Sequence, residues 1–218
     1  MNTNLSSKRI LCFGDSNTWG CVPGNDHRLR YSPQERWTGI LQSLLGNDYE
    51  IIEEGLNGRT TCLDDPKPGR EDKNGLTYLI PCLKSQSPLD IIILSLGTND
   101  MKQRFNQSSQ DIGKNILKLI QVIRDINNYE AGDIPRIILL SPPHIDETNP
   151  LAAENYIGAS NKSKELGAVF QKIASENELE LIDLSQIVSP SSIDGLHLDK
   201  EDHLKIAEAL KNIINNRI

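Results

Sequence analysis

The sequence of 218 residues has few cysteines, no excess of positive charge and no long apolar run. The four cysteines form no Cys-x-x-Cys pair, so both a disulfide framework and a zinc knuckle are unfavoured. A formal net charge of -7 and the lack of any Lys/Arg-rich run exclude a nucleic-acid footprint. The first apolar run, Ile10–Phe13, is too short for a signal peptide, and no segment could span a bilayer. These absences predict a cytoplasmic protein with no membrane or nucleic-acid partner.

The pattern of apolar residues predicts an α/β fold. Short apolar runs alternate with longer segments of helical period, as in βα units that form a parallel sheet. No repeat, low-complexity segment or linker divides the chain, so we expect residues 1–218 to form a single domain. The predicted helices cover residues 33–45, 108–126 and 201–214. The five predicted strands of this doubly wound sandwich are Arg9–Phe13, Glu50–Glu53, Asp90–Leu96, Arg136–Leu140 and Leu179–Asp183.

Two connections, residues 55–75 and 141–158, are longer than typical loops between strands and helices. Long loops on a rigid sheet are candidate walls of a binding site. Within the first of them, the charged run 64–72 is most simply interpreted as a solvated loop.

Polar clusters follow four of the predicted strands or their short extensions. In an open parallel sheet the carboxyl ends of the strands share one edge, so residues far apart in sequence meet at one crevice. The sequence therefore predicts a single site built from residues 14–16, 57–58, 97–100 and 194–197.

Within these clusters, Ser16, Asp194 and His197 have the chemistry of a nucleophile with its base. A serine hydroxyl needs a neighbouring base, and a carboxylate fixes the tautomer of that base. Asp194 lies three positions before His197, so it can reach Nδ1 of the imidazole while Nε2 faces Ser16. Attack by serine on a carbonyl places negative charge on oxygen, which requires oriented donors. The predicted donors are the N–H of Ser16, the N–H of Gly58 and the side-chain amide of Asn99.

The motifs "FGDSNTWG", Gly58, "GTND" and "DGLH" resemble, in order, the four signature blocks of the SGNH (GDSL-type) hydrolases. Further segments such as "RWTGIL", "IEEGLNGRTT" and "SPP" resemble the arylesterase/acyltransferase branch. The resemblance implies a flavodoxin-like three-layer α/β/α sandwich and hydrolysis of acetyl or other short acyl esters without a metal or cofactor. It also implies acyl transfer to alcohols, a small-molecule ester as substrate, and a homo-oligomer.

Five further residues are candidates for the substrate pocket. Asn17 and Cys21 stand beside Ser16 where the branch has larger apolar residues, so they bear on acyl-chain preference. The other three candidates are Trp19, Arg59 and His144, each of which also has an ordinary packing or surface interpretation.

Two other functions remain open at this point. A metal-dependent phosphoesterase is one, because Asp194, His197, Asp199 and His203 are hard and imidazole ligands close in sequence. This interpretation needs more ligands on the other strand ends than the sequence offers, and His203 is expected to be solvated or to cap the last helix. The other alternative is a non-catalytic carbohydrate- or lipid-binding protein on the same fold.

Overall fold

A five-stranded parallel sheet forms the centre of the computed structural model, which describes residues 4–24 and 28–216. The strand order is β2-β1-β3-β4-β5, and every neighbouring pair is parallel. All five predicted strands are confirmed, with small changes at their ends. Their bounds are β1 Lys8–Gly14, β2 Tyr49–Gly55, β3 Ile91–Ser95, β4 Arg136–Ser141 and β5 Glu180–Asp183.

Helices cover both faces of the sheet. The three predicted helices are confirmed as α2 (Trp37–Leu45), α4 (Ser109–Arg124) and α7 (Lys200–Asn215), whereas α3 (Gly75–Gln86), α5 (Pro150–Ala153) and α6 (Ala159–Glu176) were not predicted from the sequence. Within residues 4–24 and 28–216, no helix combines the length and the apolar character needed to cross a membrane. The helices are α1 Ser16–Trp19, α2 Trp37–Leu45, α3 Gly75–Gln86, α4 Ser109–Arg124, α5 Pro150–Ala153, α6 Ala159–Glu176 and α7 Lys200–Asn215.

Alternating side chains of β1 divide the core into two layers. Leu11 and Phe13 pack in the cluster that contains the buried faces of α3, α4 and α6. Ile10 and Cys12 point the other way, into the cluster formed with α2 and α7. Because strand side chains alternate with a period of two, a strand with apolar residues on both faces must be covered on both. The predicted three-layer α/β/α sandwich with flavodoxin-like strand order is therefore confirmed.

The sequence also explains the start and the buried face of α4. Ser108 and Asp111 form a reciprocal capping box that satisfies backbone N–H groups at the first turn. The predicted inward stripe of this helix is fully buried against the sheet. It consists of Ile112, Ile116, Leu119, Ile120 and Ile123.

A close contact between β2 and α1 fixes the position of the turn that follows β1. The Cα of Gly55 approaches α1 so closely that a Cβ added there would lie 2.6 Å from the Cα of Trp19. At the other end of the turn, Asp15 caps α1 by accepting the N–H of Asn17 at 3.0 Å. The short helix is therefore held between a capping carboxylate and a strand that lacks a side chain.

We predict that Gly55→Ala lowers the free energy of unfolding by about 1–3 kcal/mol, the usual cost of inserting a methyl group into a packed region. The obstructing atoms belong to the backbone of α1 and cannot be relieved by a rotamer change. Denaturant unfolding monitored by circular dichroism measures the effect. The control is Ser43→Ala at an exposed position of α2, where we expect a change within about 0.5 kcal/mol. Equal unfolding midpoints for the two variants would contradict this account.

Candidate active site

Ser16, His197 and Asp194 form a continuous hydrogen-bonded chain at the carboxyl edge of the sheet. The Oγ of Ser16 lies 3.1 Å from Nε2 of His197, although the residues are 181 positions apart. Nδ1 of the same ring lies 2.7 Å from Oδ2 of Asp194. All three residues are at least nine-tenths buried. The structure thus brings together the three residues that the sequence placed at one edge of the sheet.

The turn from Asp194 to His197 is organised by the Asp194 carboxylate. Its Oδ1 accepts the backbone N–H groups of Leu196 at 3.0 Å and His197 at 2.9 Å. Its Oδ2 accepts the N–H of Gly24 at 2.9 Å in addition to the imidazole. Gly195 adopts a φ of +70°, which a residue with a side chain would adopt only with strain, so glycine permits this turn.

The pKa values of the pair follow from this geometry. Burial alone would raise the pKa of Asp194, but the hydrogen bond and charge of His197 outweigh it and lower the pKa to about 2. Burial alone would lower the pKa of His197, but the hydrogen bond to Asp194, with a further one to Cys21, raises it to about 9. Each partner therefore stabilises the charged form of the other.

The three residues predicted to supply donors, Ser16, Gly58 and Asn99, line the same cavity. In the described part of the chain, the N–H groups of Ser16 and Gly58 have no intramolecular acceptor. Gly58 has a φ of +80°, and a Cβ at this position would collide with the guanidinium of Arg70. The third donor, Asn99, lies at the end of the loop after β3 and is 3% exposed.

The amide orientation of Asn99 is determined by its neighbours. Its Oδ1 accepts from Nζ of Lys102 at 2.5 Å and from the hydroxyl of Tyr156 at 3.2 Å. The Nδ2 group is consequently on the other side, where it makes a long contact of 3.5 Å with Oδ2 of Asp15. An amide whose oxygen is doubly engaged presents its N–H groups to the opposite side. Asn99 is thereby oriented as a donor.

A cavity of about 460 Å³ opens above these groups. Ser16, Gly58, Asn99, Asp194 and His197 all line it. Its outer wall comes from the two long connections, residues 55–75 and 141–158, as the sequence predicts. The candidate nucleophile, base and donors therefore share one solvent-accessible space.

The charged run 64–72 is not a simple solvated loop. Asp65 is buried and accepts from Arg70 at 2.5 Å and from Arg104 at 2.6 Å. These hydrogen bonds outweigh the effect of burial and hold the pKa of Asp65 well below its usual range. The ion pairs fix the loop against the turn that follows β3, and they leave Lys67 and Arg70 in the cavity wall with Lys102 and Arg104. Sequence analysis did not identify these four cations as part of the site. The charge density of the run 64–72 was a signal for Lys67 and Arg70, whereas Lys102 and Arg104 lie outside that run, after β3.

The five pocket candidates named from the sequence are not in the wall of this cavity. The Arg59 guanidinium donates to the carbonyls of Gly14 and Glu54, and its carbon atom lies 4.3 Å from the Phe13 ring centroid. Backbone carbonyls of β1 and β2 therefore hold the Arg59 side chain, which does not line the cavity.

The other four candidates have different surroundings. Trp19 stacks under the guanidinium of Arg30, and His144 lies outside the cavity wall. Asn17 and Cys21 are buried, the latter within hydrogen-bonding distance of His197. Cys21 thus contacts the imidazole of the candidate base His197.

The histidine six positions after His197 has a different role from the one expected. His203 is completely buried, and its Nδ1 accepts the N–H of Trp37 at 3.3 Å. Burial lowers its pKa to about 4, so it is a neutral core residue that accepts an N–H at the start of α2, and neither a solvated residue nor a cap of its own helix α7. Among residues 4–24 and 28–216, no group of three or more His, Cys, Asp or Glu side chains is arranged to hold a metal ion.

Comparison with known proteins points to one family. Residues 12–205 match the model of the GDSL-like lipase/acylhydrolase family. An acetylxylan esterase of Xylanibacter ruminicola is 24% identical over 223 residues, which cover 93% of this chain. The chain spans only 42% of the length of that curated relative.

Solved structures of similar proteins extend the likeness over nearly the whole chain. An aryl esterase from M. smegmatis is 35% identical with a TM-score of 0.88, covering 97% of this chain and 100% of that one. Est24, a carbohydrate acetylesterase from Sinorhizobium meliloti, is 34% identical with a TM-score of 0.88 and the same coverage. Both neighbours are esterases that this chain resembles in fold and in sequence.

We predict that the pKa values of the two buried histidines are shifted in opposite directions from that of an ordinary histidine. His197 should keep its proton up to a pH of about 9, whereas His203 should stay neutral down to about 4. NMR of the imidazole nitrogens as a function of pH measures both values in one sample. Asp194→Asn should lower the pKa of His197 and leave that of His203 in place, because the carboxylate is the main group that opposes the effect of burial. A His197 that titrates near 6.5 would contradict the proposed charge coupling.

Proposed function

The chain belongs to the GDSL-like lipase/acylhydrolase family, whose members hydrolyse carboxylic esters, and we propose that it cleaves short-chain acyl esters through an acyl-enzyme on Ser16. The observation that carries this proposal is the chain of hydrogen bonds from Ser16 through His197 to Asp194. We also propose that residues 1–218 act as one SGNH hydrolase domain on a small-molecule ester.

In the acylation step, the neutral form of His197, which predominates only above a pH of about 9, takes the proton of the Ser16 hydroxyl while Oγ forms a bond to the acyl carbon. The carbonyl oxygen becomes negative, and the N–H groups of Ser16 and Gly58 and the Asn99 amide donate to it. Collapse of this intermediate breaks the bond to the alcohol oxygen, which receives the proton from His197. The products are the free alcohol and an acyl ester of Ser16.

In the deacylation step, His197 removes a proton from water, and the hydroxide attacks the same carbonyl carbon. The bond to Ser16 Oγ then breaks, Oγ recovers the proton, and the carboxylic acid leaves. An alcohol can take the place of water, and the product is then a new ester. We propose this acyl transfer as a second outcome, measured by the ratio of ester to acid products when a primary alcohol is added.

We propose that the acyl group is short because of the activities named for the similar proteins. They include an aryl esterase, a carbohydrate acetylesterase and an acetylxylan esterase. Acetyl esters of phenols and of sugars are therefore the first substrates to compare. We expect p-nitrophenyl acetate to be cleaved faster than p-nitrophenyl octanoate.

We predict that Ser16→Ala lowers kcat for p-nitrophenyl acetate at least about a thousandfold, the loss typical of removing a nucleophile that acts with its base. A fluorophosphonate should label wild-type protein once, and mass spectrometry of peptides should locate the label on Ser16. Ser43→Ala, which removes an exposed hydroxyl, is the matched control and should retain both rate and labelling.

The same experiment separates the alternatives. Activity that is lost in EDTA, or that survives in Ser16→Ala, would support metal-dependent chemistry instead. Folded wild-type protein that neither reacts with the fluorophosphonate nor cleaves any ester would support a binding protein on this fold.

We predict that Asn99→Ala lowers kcat for the same substrate by about 10²–10³, as removal of one oxyanion donor does in other hydrolases. The matched control is Tyr156→Phe, which removes a hydroxyl from Oδ1 of the same amide and leaves the Nδ2 donor intact. We expect a much smaller effect from the control. Similar losses of kcat in both variants would show that Asn99 acts through packing and not as a donor.

A further inference from the structure

The cavity above Ser16 is basic in a protein that is acidic overall. The chain carries 23 Lys and Arg against 30 Asp and Glu, yet Lys67, Arg70, Lys102 and Arg104 all line this one space. Apart from Asp194, which is already paired with His197, three carboxylates lie near these cations: Asp65, Glu154 and the buried Asp15, whose charge acts on Lys102. The lining therefore has a positive surplus.

Asp65 balances only part of this charge. Its Oδ2 accepts from both Arg70 and Arg104, and its Oδ1 accepts a second bond from Arg104, so that one carboxylate serves two guanidinium groups. Glu154 is exposed to solvent, and among the described residues it makes no ion pair with any of the four cations. Arg104 donates from Nε and Nη2 to Asp65 and from Nη1 to Asn155. Arg70 donates from Nε to Asp65, and its Nη1 has no acceptor among the described residues, so it can still bind an oxyanion.

Lys102 has no carboxylate partner at all within 4.0 Å in the ranges 4–24 and 28–216. Its ammonium group donates to the neutral Oδ1 of Asn99 and lies 5.5 Å from the centroid of the Tyr156 ring. The residue is 8% exposed. Burial, followed by the charges of Arg70 and Arg104, lowers the pKa of Lys102 to about 7. An anion in the cavity would supply the missing partner.

The cations are next to the reacting centre. Lys102 contacts Asn99, and Nη2 of Arg70 lies 3.5 Å from the carbonyl oxygen of Gly58. Asn99 and Gly58 are two of the three proposed oxyanion donors. A substrate whose carbonyl lies at Ser16 would therefore have one of its two parts beside the cations. Because the proposed acyl group is short and neutral, the part that can carry a charge is the alcohol.

We propose that the substrate is an ester whose alcohol or phenol part carries an oxyanion, a carboxylate or a phosphate, that binds Lys67, Arg70, Lys102 and Arg104. This inference rests on the proposed ester hydrolysis. The neutral acyl group lies at Ser16, and the charged leaving group extends toward the wall formed by the loops after β2 and β3. Ion pairs in such a partly enclosed space are less screened than those on an open surface.

The test compares esters that differ in charge and little in reactivity. 4-Acetoxybenzoate is paired with neutral 4-acetoxybenzamide, and 4-acetoxyphenyl phosphate is paired with neutral 4-methoxyphenyl acetate. We expect kcat/KM to be about tenfold higher for the anionic member of at least one pair at low salt, mainly through KM, and the ratio to fall as NaCl is added. The pair with the larger ratio identifies carboxylate or phosphate as the preferred group.

Lys67→Gln and Arg104→Gln should lower this ratio several-fold. Lys84→Gln, on the exposed side of α3 and away from the cavity wall, should leave it unchanged. Equal kcat/KM within both pairs, with Ser16-dependent cleavage of the neutral esters, would overturn the anionic substrate alone. Cleavage that does not depend on Ser16 would overturn the proposed function. If the cations act on the oxyanion instead, the variants would lower kcat for neutral and anionic esters alike, and the ratio would not change.

Discussion

The Asp194 carboxylate holds the candidate site together, because four hydrogen bonds end on its two oxygens. Two of these bonds shape its own turn, one anchors the loop after α1 through Gly24, and one orients the imidazole of His197. A buried carboxylate is costly unless it is paired, so the turn, the loop and the imidazole must all be in place together. The loop near Ser16 and the turn that carries His197 are both bonded to this carboxylate. The distance between Ser16 and His197 therefore depends on contacts between segments far apart in the sequence.

Several ionisable groups near the cavity are buried, and burial disfavours their charged forms. Burial raises the pKa of Asp15, raises that of Asp100 to about 6 and lowers that of Lys102 to about 7. Each is held by hydrogen bonds to neutral partners, such as the N–H of Thr61 on Asp100 and the Asn99 amide on Lys102. Perturbed groups of this kind are concentrated at functional sites, where an incoming ligand supplies charge that the fold lacks.

Much of this arrangement could be predicted because it depends on local signals. The strands are short apolar runs, and parallel strands bring their carboxyl ends to one edge, so Ser16 and His197 could be placed together without a structure. Besides the four-residue α5, the two long helices α3 and α6 were not predicted. In α3, Pro81 interrupts the helical signal, whereas in α6 the spacing of Leu166, Phe170 and Ile173 follows a helical period and was sufficient to indicate a helix. His203 could not be assigned to the core because a single polar residue in an amphipathic helix does not reveal which neighbours cover it.

The four cations of the cavity wall, Lys67, Arg70, Lys102 and Arg104, could not be predicted from the sequence for a different reason. Lys67 and Lys102 belong to connections without periodicity, and contacts such as the Arg104–Asp65 ion pair and the Thr61–Asp100 hydrogen bond, which only the structure reveals, join the two connections. The overall composition does not predict a cationic cavity, because the whole chain carries a net charge of -7. A narrow cavity with low-dielectric walls focuses the field of its own lining, so local charge can oppose the overall charge of the protein. The field of these cations also favours negative charge where the carbonyl oxygen of an ester would become an oxyanion.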